Sequence, residues 1–223
     1  MPIDDALAQL GPSIIMPRIE ETSRSGNYIF LPENEYHKDL LISKERKYLG
    51  KNWYEAHEEL ANEEANMLTI RQFVDFLKLL KSENVYDENK NRISDEETKL
   101  ILDDILTQRA PYRGEWLDAK FRKMGNKMYI ESINSETTLQ PLGDYLILNK
   151  VPGISLYYWL TNANSQGLPL TNNPDGKLHY WCPKEGCVAG FGAGSDRVYL
   201  DCFGVVGPRD SDPGLGVRPV RRL

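Results

Sequence analysis

At 223 residues the chain is long enough for one large domain with a substantial core, or for one domain with an N-terminal extension. Hydrophobic residues make up 40% and charged residues 27%, a balance that reads as a soluble, globular chain and not a disordered one. The net charge of −6 argues against a general nucleic-acid binder, which needs a basic face; the one basic cluster, Arg218, Arg221 and Arg222, is too short to supply it.

No apolar run approaches the roughly 20 residues that span a bilayer. The opening residues are broken by Asp4, Asp5, Pro12 and Pro17 and carry no signal-peptide core, so an intracellular or virion-borne protein is expected. Three cysteines cannot all pair, which rules out a disulfide scaffold. Cys182, Cys187 and Cys202 with His179 have the composition of a Cys3His zinc site. The paired C-x2-C knuckles are missing, however, and ordinary thiols are the simpler reading, so neither metal nor cofactor is expected.

In chain order, residues 1–26 show little pattern and read as an extended arm. Residues 27–31 are β-rich and end at Pro32, which predicts a first strand. Residues 53–66 are rich in Ala, Glu and Leu and predict a helix. Thr69-Ile70-Arg71-Gln72 has the form of a capping box and opens a helix with Ile70, Phe73, Val74, Leu77 and Leu80 on one face. Ser94-Asp95-Glu96-Glu97 is a second box, and starts a helix that includes Leu100, Ile101, Ile105 and Leu106. Residues 115–122 predict a short fourth helix. Beyond Gly125 the pattern turns to strands, expected at 127–133, 144–148, 154–160, 197–203 and 215–220, with a long Asn-rich loop at 162–176. Helices early and strands late, without βαβ alternation, predict an α+β fold with N-terminal helices packed on a mixed or antiparallel sheet.

The tail stands apart. Residues 186–223 contain no Lys, Glu, Gln, Met or Trp, all of which occur freely before them. They carry Gly194-Ser195-Asp196-Arg197-Val198, then Gly207-Pro208-Arg209-Asp210-Ser211-Asp212-Pro213-Gly214-Leu215-Gly216-Val217-Arg218. With Trp53-Tyr54-Glu55-Ala56, the segment from Met67 to Phe73, and Glu115-Trp116-Leu117-Asp118-Ala119 as weaker echoes, this ending resembles the C-type lectin fold of the formylglycine-generating-enzyme subtype. The variable proteins of diversity-generating retroelements share that form, and the chain resembles them too. Where that family has Pro and an acid in its helix-opening segment, this chain has Leu68 and Gln72. The resemblance implies an extension and first strand at 1–44, a C-type lectin-like domain at 45–223 with an extra helix near 94–107, and a variable region at about 186–215.

The resemblance also implies how the surface is diversified. An error-prone reverse transcriptase alters adenines in a copy of the 3′ end of the gene. Asn codons can then become many residues, but never Lys, Glu, Gln, Met or Trp, the set the tail lacks. Alternation along the tail selects Tyr199, Asp201, Phe203, Val205, Val206, Asp210, Asp212 and Gly214 as the solvent-facing ligand-binding surface, with Phe191 and Ala193 as second-rank positions. Gly207, Pro208, Gly216 and Arg218 would hold the backbone, over an aromatic strand containing Tyr157, Tyr158 and Trp159. The competing reading makes Tyr199, Phe203, Val205 and Val206 ordinary core of a last hairpin.

Catalytic chemistry is thinly represented. His37, His57 and His179 fall in no metal-binding pattern, no Gly-x-Ser-x-Gly elbow occurs, and Gly190-Phe191-Gly192-Ala193-Gly194 lacks the Lys of a phosphate loop and reads as a flexible turn. The expectation is a binding protein, not an enzyme. Its partner would be a macromolecule, most simply a protein and not nucleic acid, and no membrane span is expected. The alternatives are an oxidoreductase of the formylglycine-generating kind, which would gather the cysteines in a cleft, and a viral attachment or structural protein.

Overall fold

A computed structural model describes residues 26–82, 84–133, 139–147, 149–204 and 207–223. The protein is a mixed α+β structure with two sheets and, among the described residues, four helices. No helix there is long and apolar enough to cross a membrane. The chain runs β1 (Tyr28–Leu31), β2 (Leu40–Ser43), α1 (Trp53–Asn62), β3 (Asn66–Met67), α2 (Ile70–Leu80) and α3 (Asp95–Leu106). It continues through β4 (Arg113–Met124), β5 (Lys127–Glu131), β6 (Leu139–Pro141), β7 (Asn149–Ile154) and α4 (Leu156–Asn162). The last part holds β8 (Leu178–Trp181), β9 (Val188–Ala193), β10 (Val198–Asp201), β11 (Leu215–Gly216) and β12 (Pro219–Arg222).

The first three helices start where their caps dictate. The Asn52 side chain accepts from the backbone N–H groups of Tyr54 and Glu55, while Glu55 reaches back to the Asn52 N–H at 3.0 Å. Thr69 and Gln72 make the same reciprocal pair at the head of α2. Ser94 accepts from the Glu97 N–H at 3.1 Å. Such caps satisfy donors that the first helical turn leaves unpaired. α1 buries Trp53, Ala56, His57 and Leu60 at helical spacing, and α2 buries Phe73, Val74, Phe76 and Leu77. α1 is shorter than the predicted 53–66, because residues 66–67 leave it to form β3.

The large sheet runs β6-β5-β4-β9-β10-β8-β7, with β11 alongside β4. β10 is parallel to β8 and β11 parallel to β4; the other pairs are antiparallel. The small sheet runs β1-β2-β12-β3. The boundary expected at residue 44 therefore cuts through hydrogen-bonded structure, because Ile42 of β2 is in register with Val220 of β12. The main core lies between α2, α4 and the large sheet, where Phe191 packs on Phe73 (ring centroids 5.0 Å apart) and stacks on Trp159 (5.9 Å). A second core gathers Trp53, Ala56, Leu60, Met67, Trp116 and Val217.

Four expectations are corrected. Residues 115–122 form no helix but the middle of β4, a strand buried on both faces, so the period-two signal is absent and the interior Glu115 and Asp118 imitate a polar helix face. Residues 156–162 are helix α4 and not a strand, so intrinsic β-propensity is overridden by tertiary packing. Tyr157 and Tyr158 are 67% and 49% exposed there, leaving Trp159 alone beneath the tail. Residues 144–147 are not strand, and Leu148 lies outside the described residues. The supposed turn at Gly190–Gly194 belongs largely to β9. The other late strands are shorter than predicted: β5 ends at Glu131, β10 spans Val198–Asp201, and residues 215–220 divide between β11 and β12 in different sheets.

Candidate ligand-binding face

One face of the β4-β9-β10-β8 region is built around missing side chains. In register, Tyr199 stands beside Gly192 and Asp201 beside Gly190 across β9, while Gly192 stands beside Gly114 of β4. Alternation sends Phe191 and Ala193 the other way, into the core, where both are fully buried. Neither is a surface position, which corrects their second-rank assignment. The glycines let rings lie against the sheet: a Cβ added at Gly192 would sit 2.7 Å from Tyr199 Cζ and 2.9 Å from Tyr112 Cε2.

Tyr112 and Tyr199 lie parallel, with centroids 6.3 Å apart at 7°, and Trp181 meets Tyr199 edge-on at 5.4 Å and 87°. These three rings, with Arg109, Arg197 and Ser195, line an open cleft of about 350 Å³. Arg197 is held by its neighbour Asp196 through Nε at 2.8 Å, and Arg109 by Asp104 at 3.0 Å. Burial raises the Tyr199 hydroxyl pKa well above its ordinary value, reinforced by Tyr112 and the carboxylates of Asp201 and Asp212; burial also raises Tyr112. Both hydroxyls therefore stay protonated as neutral hydrogen-bonding groups.

The remaining predicted positions divide by role. Phe203 is half-buried, with Lys184 Nζ 4.3 Å from its ring centroid. Asp201 is buried, and its carboxylate accepts from the N–H groups of Phe203 (2.8 Å) and Gly204 (3.2 Å). Its assignment as solvent-facing is thus corrected: it fixes the turn out of β10. Asp210 is exposed and accepts from the Gly207 N–H at 2.7 Å; Asp212 is half-buried and accepts from the Gly214 N–H at 2.7 Å. Val205 and Val206 lie outside the described residues. Gly214 is no place for a variable side chain, because a Cβ there would stand 2.0 Å from the Tyr112 carbonyl oxygen. Its own carbonyl accepts from the Gly114 N–H and from Arg46 Nη1. It belongs with the scaffold.

The four expected scaffold residues are all tied to other elements or turns. Gly207 takes the Asp210 carboxylate, and the Pro208 carbonyl accepts from the Trp53 N–H at 3.2 Å. Gly216 pairs with Glu115, and a Cβ on it would meet Leu49 Cδ2 at 2.7 Å and the Lys47 carbonyl at 2.8 Å. Arg218 is buried; Nη2 donates to Glu115 at 2.8 Å and Nη1 to the carbonyls of Ser43 (3.0 Å) and Lys44. Arg113 donates to the same carboxylate. Burial alone would raise the Glu115 pKa, but the guanidinium groups of Arg113 and Arg218 overcome it and bring it down to about 2.

The cysteines are all without disulfides. Burial raises the pKa of Cys182 and Cys187, and raises Cys202 well above the usual thiol value, so none is an activated thiolate. Among the described residues no three His, Cys, Asp or Glu side chains come together to hold a metal ion, so His179, Cys182, Cys187 and Cys202 do not form the Cys3His site considered from spacing. Tyr112, Trp181 and Arg109 were not legible as site residues. The one available signal was the alternate glycines Gly190 and Gly192, which in a strand mark the close approach of another group. Compared with family models, curated proteins and solved structures, the chain matches none.

Proposed function

We propose that this chain is a ligand-binding protein of the C-type lectin fold, similar to the variable proteins of diversity-generating retroelements, and that it presents the Tyr112–Trp181–Tyr199 cleft and the adjoining 207–213 loop to a protein partner. The observation that carries this reading is the open aromatic cleft on a glycine stripe, one wall of which, Tyr199, comes from the diversified-looking tail. Tyr, Trp and Arg dominate the energetics of protein interfaces, and they line this cleft. Tyrosines also provide rigid contact area at low entropic cost. The backbone around them is held by Pro208, Gly216 and Arg218, so side chains at 199, 203, 210 and 212 can be exchanged over a retained frame. The oxidoreductase alternative needs an acidified thiol, and the raised thiol pKa values favour binding over it.

Two measurements test the reading. A nearby reverse-transcriptase gene, with a near-copy of the 3′ end that differs at adenines, is the expected gene context. In the laboratory, a displayed library randomised at Tyr199, Phe203, Asp210 and Asp212 to the residues that adenine changes permit should stay folded in most members and yield binders to a chosen protein bait. Lack of an adenine-biased copy, together with a library that unfolds throughout, would overturn the proposal.

A further inference from the structure

The polar groups around the aromatic cleft are unevenly spread. Leu178 and Val198 are paired in parallel register, so Lys177 and Arg197, the residues just before them, enter the sheet side by side. Alternation gives Arg197 the face of Tyr199 and Lys177 the face of Trp181. Arg109 joins them, its backbone N–H bonded to the Gly194 carbonyl at 2.9 Å. Three cations thus gather at one end of the cleft. Asp196 takes Nε and Nη2 of Arg197 and leaves Nη1. Asp104 takes Arg109, but it is shared with the buried Arg113. Lys177 is exposed and has no ion pair among the described residues. The two carboxylates therefore leave a local positive excess, in a chain whose net charge is −6.

The hydrogen bonds point the same way. Trp53, Trp116 and Trp159 donate their indole N–H groups to carbonyls inside the protein, at 3.0, 3.1 and 2.8 Å. The fourth indole, that of Trp181, has no such partner among the described residues. Indole, ammonium and guanidinium groups donate and do not accept, so this part of the cleft calls for an acceptor. The acids close to the rings lie toward the other end. Asp201 follows Tyr199 by two positions, away from Arg197, and is taken by the amides of its turn; Asp212 is taken by the Gly214 N–H. A phosphate, with nearly two charges at neutral pH, would exceed the positive excess and crowd the exposed Asp196. A carboxylate, with one charge, matches it.

We propose that the cleft recognises an Asp or Glu side chain of its protein partner, with the carboxylate at the Lys177–Arg197 end and the adjoining partner backbone over Tyr199 and Trp181. The Trp181 N–H then meets a carbonyl of that backbone. Such recognition presupposes that the cleft is the molecule's binding face. A random peptide library displayed on phage and panned against the whole chain supplies the probe, and calorimetry follows the best-enriched peptide. The expected result is an acid held at one position of the enriched set. Arg197→Gln should weaken binding about tenfold, the equivalent of one charge-assisted hydrogen bond. Replacing the peptide's acid by its amide should cost the parent as much and cost Arg197→Gln little. Added salt should weaken the parent more than the variant. Thermal midpoints check folding, and Lys177→Gln, at an exposed side chain, gives the same sign of effect should Arg197→Gln unfold. Peptides that are lost in Tyr199→Ser but share no acid, or that bind both charge variants like the parent, overturn the acidic preference and leave the binding face standing. If no peptide is enriched, or none loses affinity in Tyr199→Ser, the binding face fails and the acidic preference with it.

Discussion

The tail contains two halves that hold themselves in opposite ways. From Leu215 onward, side chains reach across the molecule: Arg218 to Glu115, 103 positions away, and to Ser43, 175 positions away. At Asp210 and Asp212 the carboxylates turn back on their own loop, bonding amides two or three residues away. A side chain that serves only its own turn can be exchanged at local cost, and Asn or Ser can make the same turn. A side chain that joins distant elements cannot. The displayed half is thus suited to variation because the anchoring half is not.

The widest separation between the halves comes from Glu115. Glu115→Gln leaves the buried Arg218 without its carboxylate and Arg113 with Asp104 alone, and should cost about 3–5 kcal/mol in urea unfolding. Acid removes the same charge. Since the folded pKa is depressed to about 2, the stabilisation is fully present above the unfolded value of about 4.3 and is lost as pH falls between them. Denaturation midpoints measured from pH 6 downward should fall through that window in the parent and more weakly in Glu115→Gln.

Gly214→Ala tests the seam where the halves meet. The 2.0 Å approach to the Tyr112 carbonyl forces backbone movement, at about 1–3 kcal/mol in the same unfolding assay. Within the displayed half, Tyr199→Ser removes a half-buried ring and should cost about 1–2 kcal/mol, less than a fully buried aromatic, while weakening binding of a selected partner. Asp210→Ala, at an exposed carboxylate that among the described residues bonds the Gly207 N–H, should shift the thermal midpoint least of all. If Tyr199→Ser proved as damaging as Glu115→Gln, the contrast between the halves would collapse.

The sequence made the helices legible because their caps are local: Thr69 with Gln72, and Ser94 with Glu97, are read three residues apart. It could not show β4, whose Glu115 is acceptable in the interior only because Arg113 and Arg218 meet it there, the latter from far along the chain. Nor could it show α4, whose Leu-Tyr-Tyr-Trp-Leu run has strand-like composition and becomes a helix under the packing of Trp159 against Phe191. Tyr199 was found by alternation. Its partners Tyr112 and Trp181 come from other strands and their flanks, and no spacing rule joins them. Asp201 was misplaced because period two tells which face a residue occupies, but not whether the next turn folds over it.

The seating of β12 between β2 and β3 bears on how the molecule assembles. Its register with β2 joins segments almost the full described length apart, and such closures come late because loop entropy must be overcome before any contact is made. The helical layer can therefore be complete before the exchangeable loop is drawn into position. Changes in that loop are then expected to act more on the rate of unfolding than on the rate of folding, a split that refolding and unfolding kinetics of Asp210→Ala would measure.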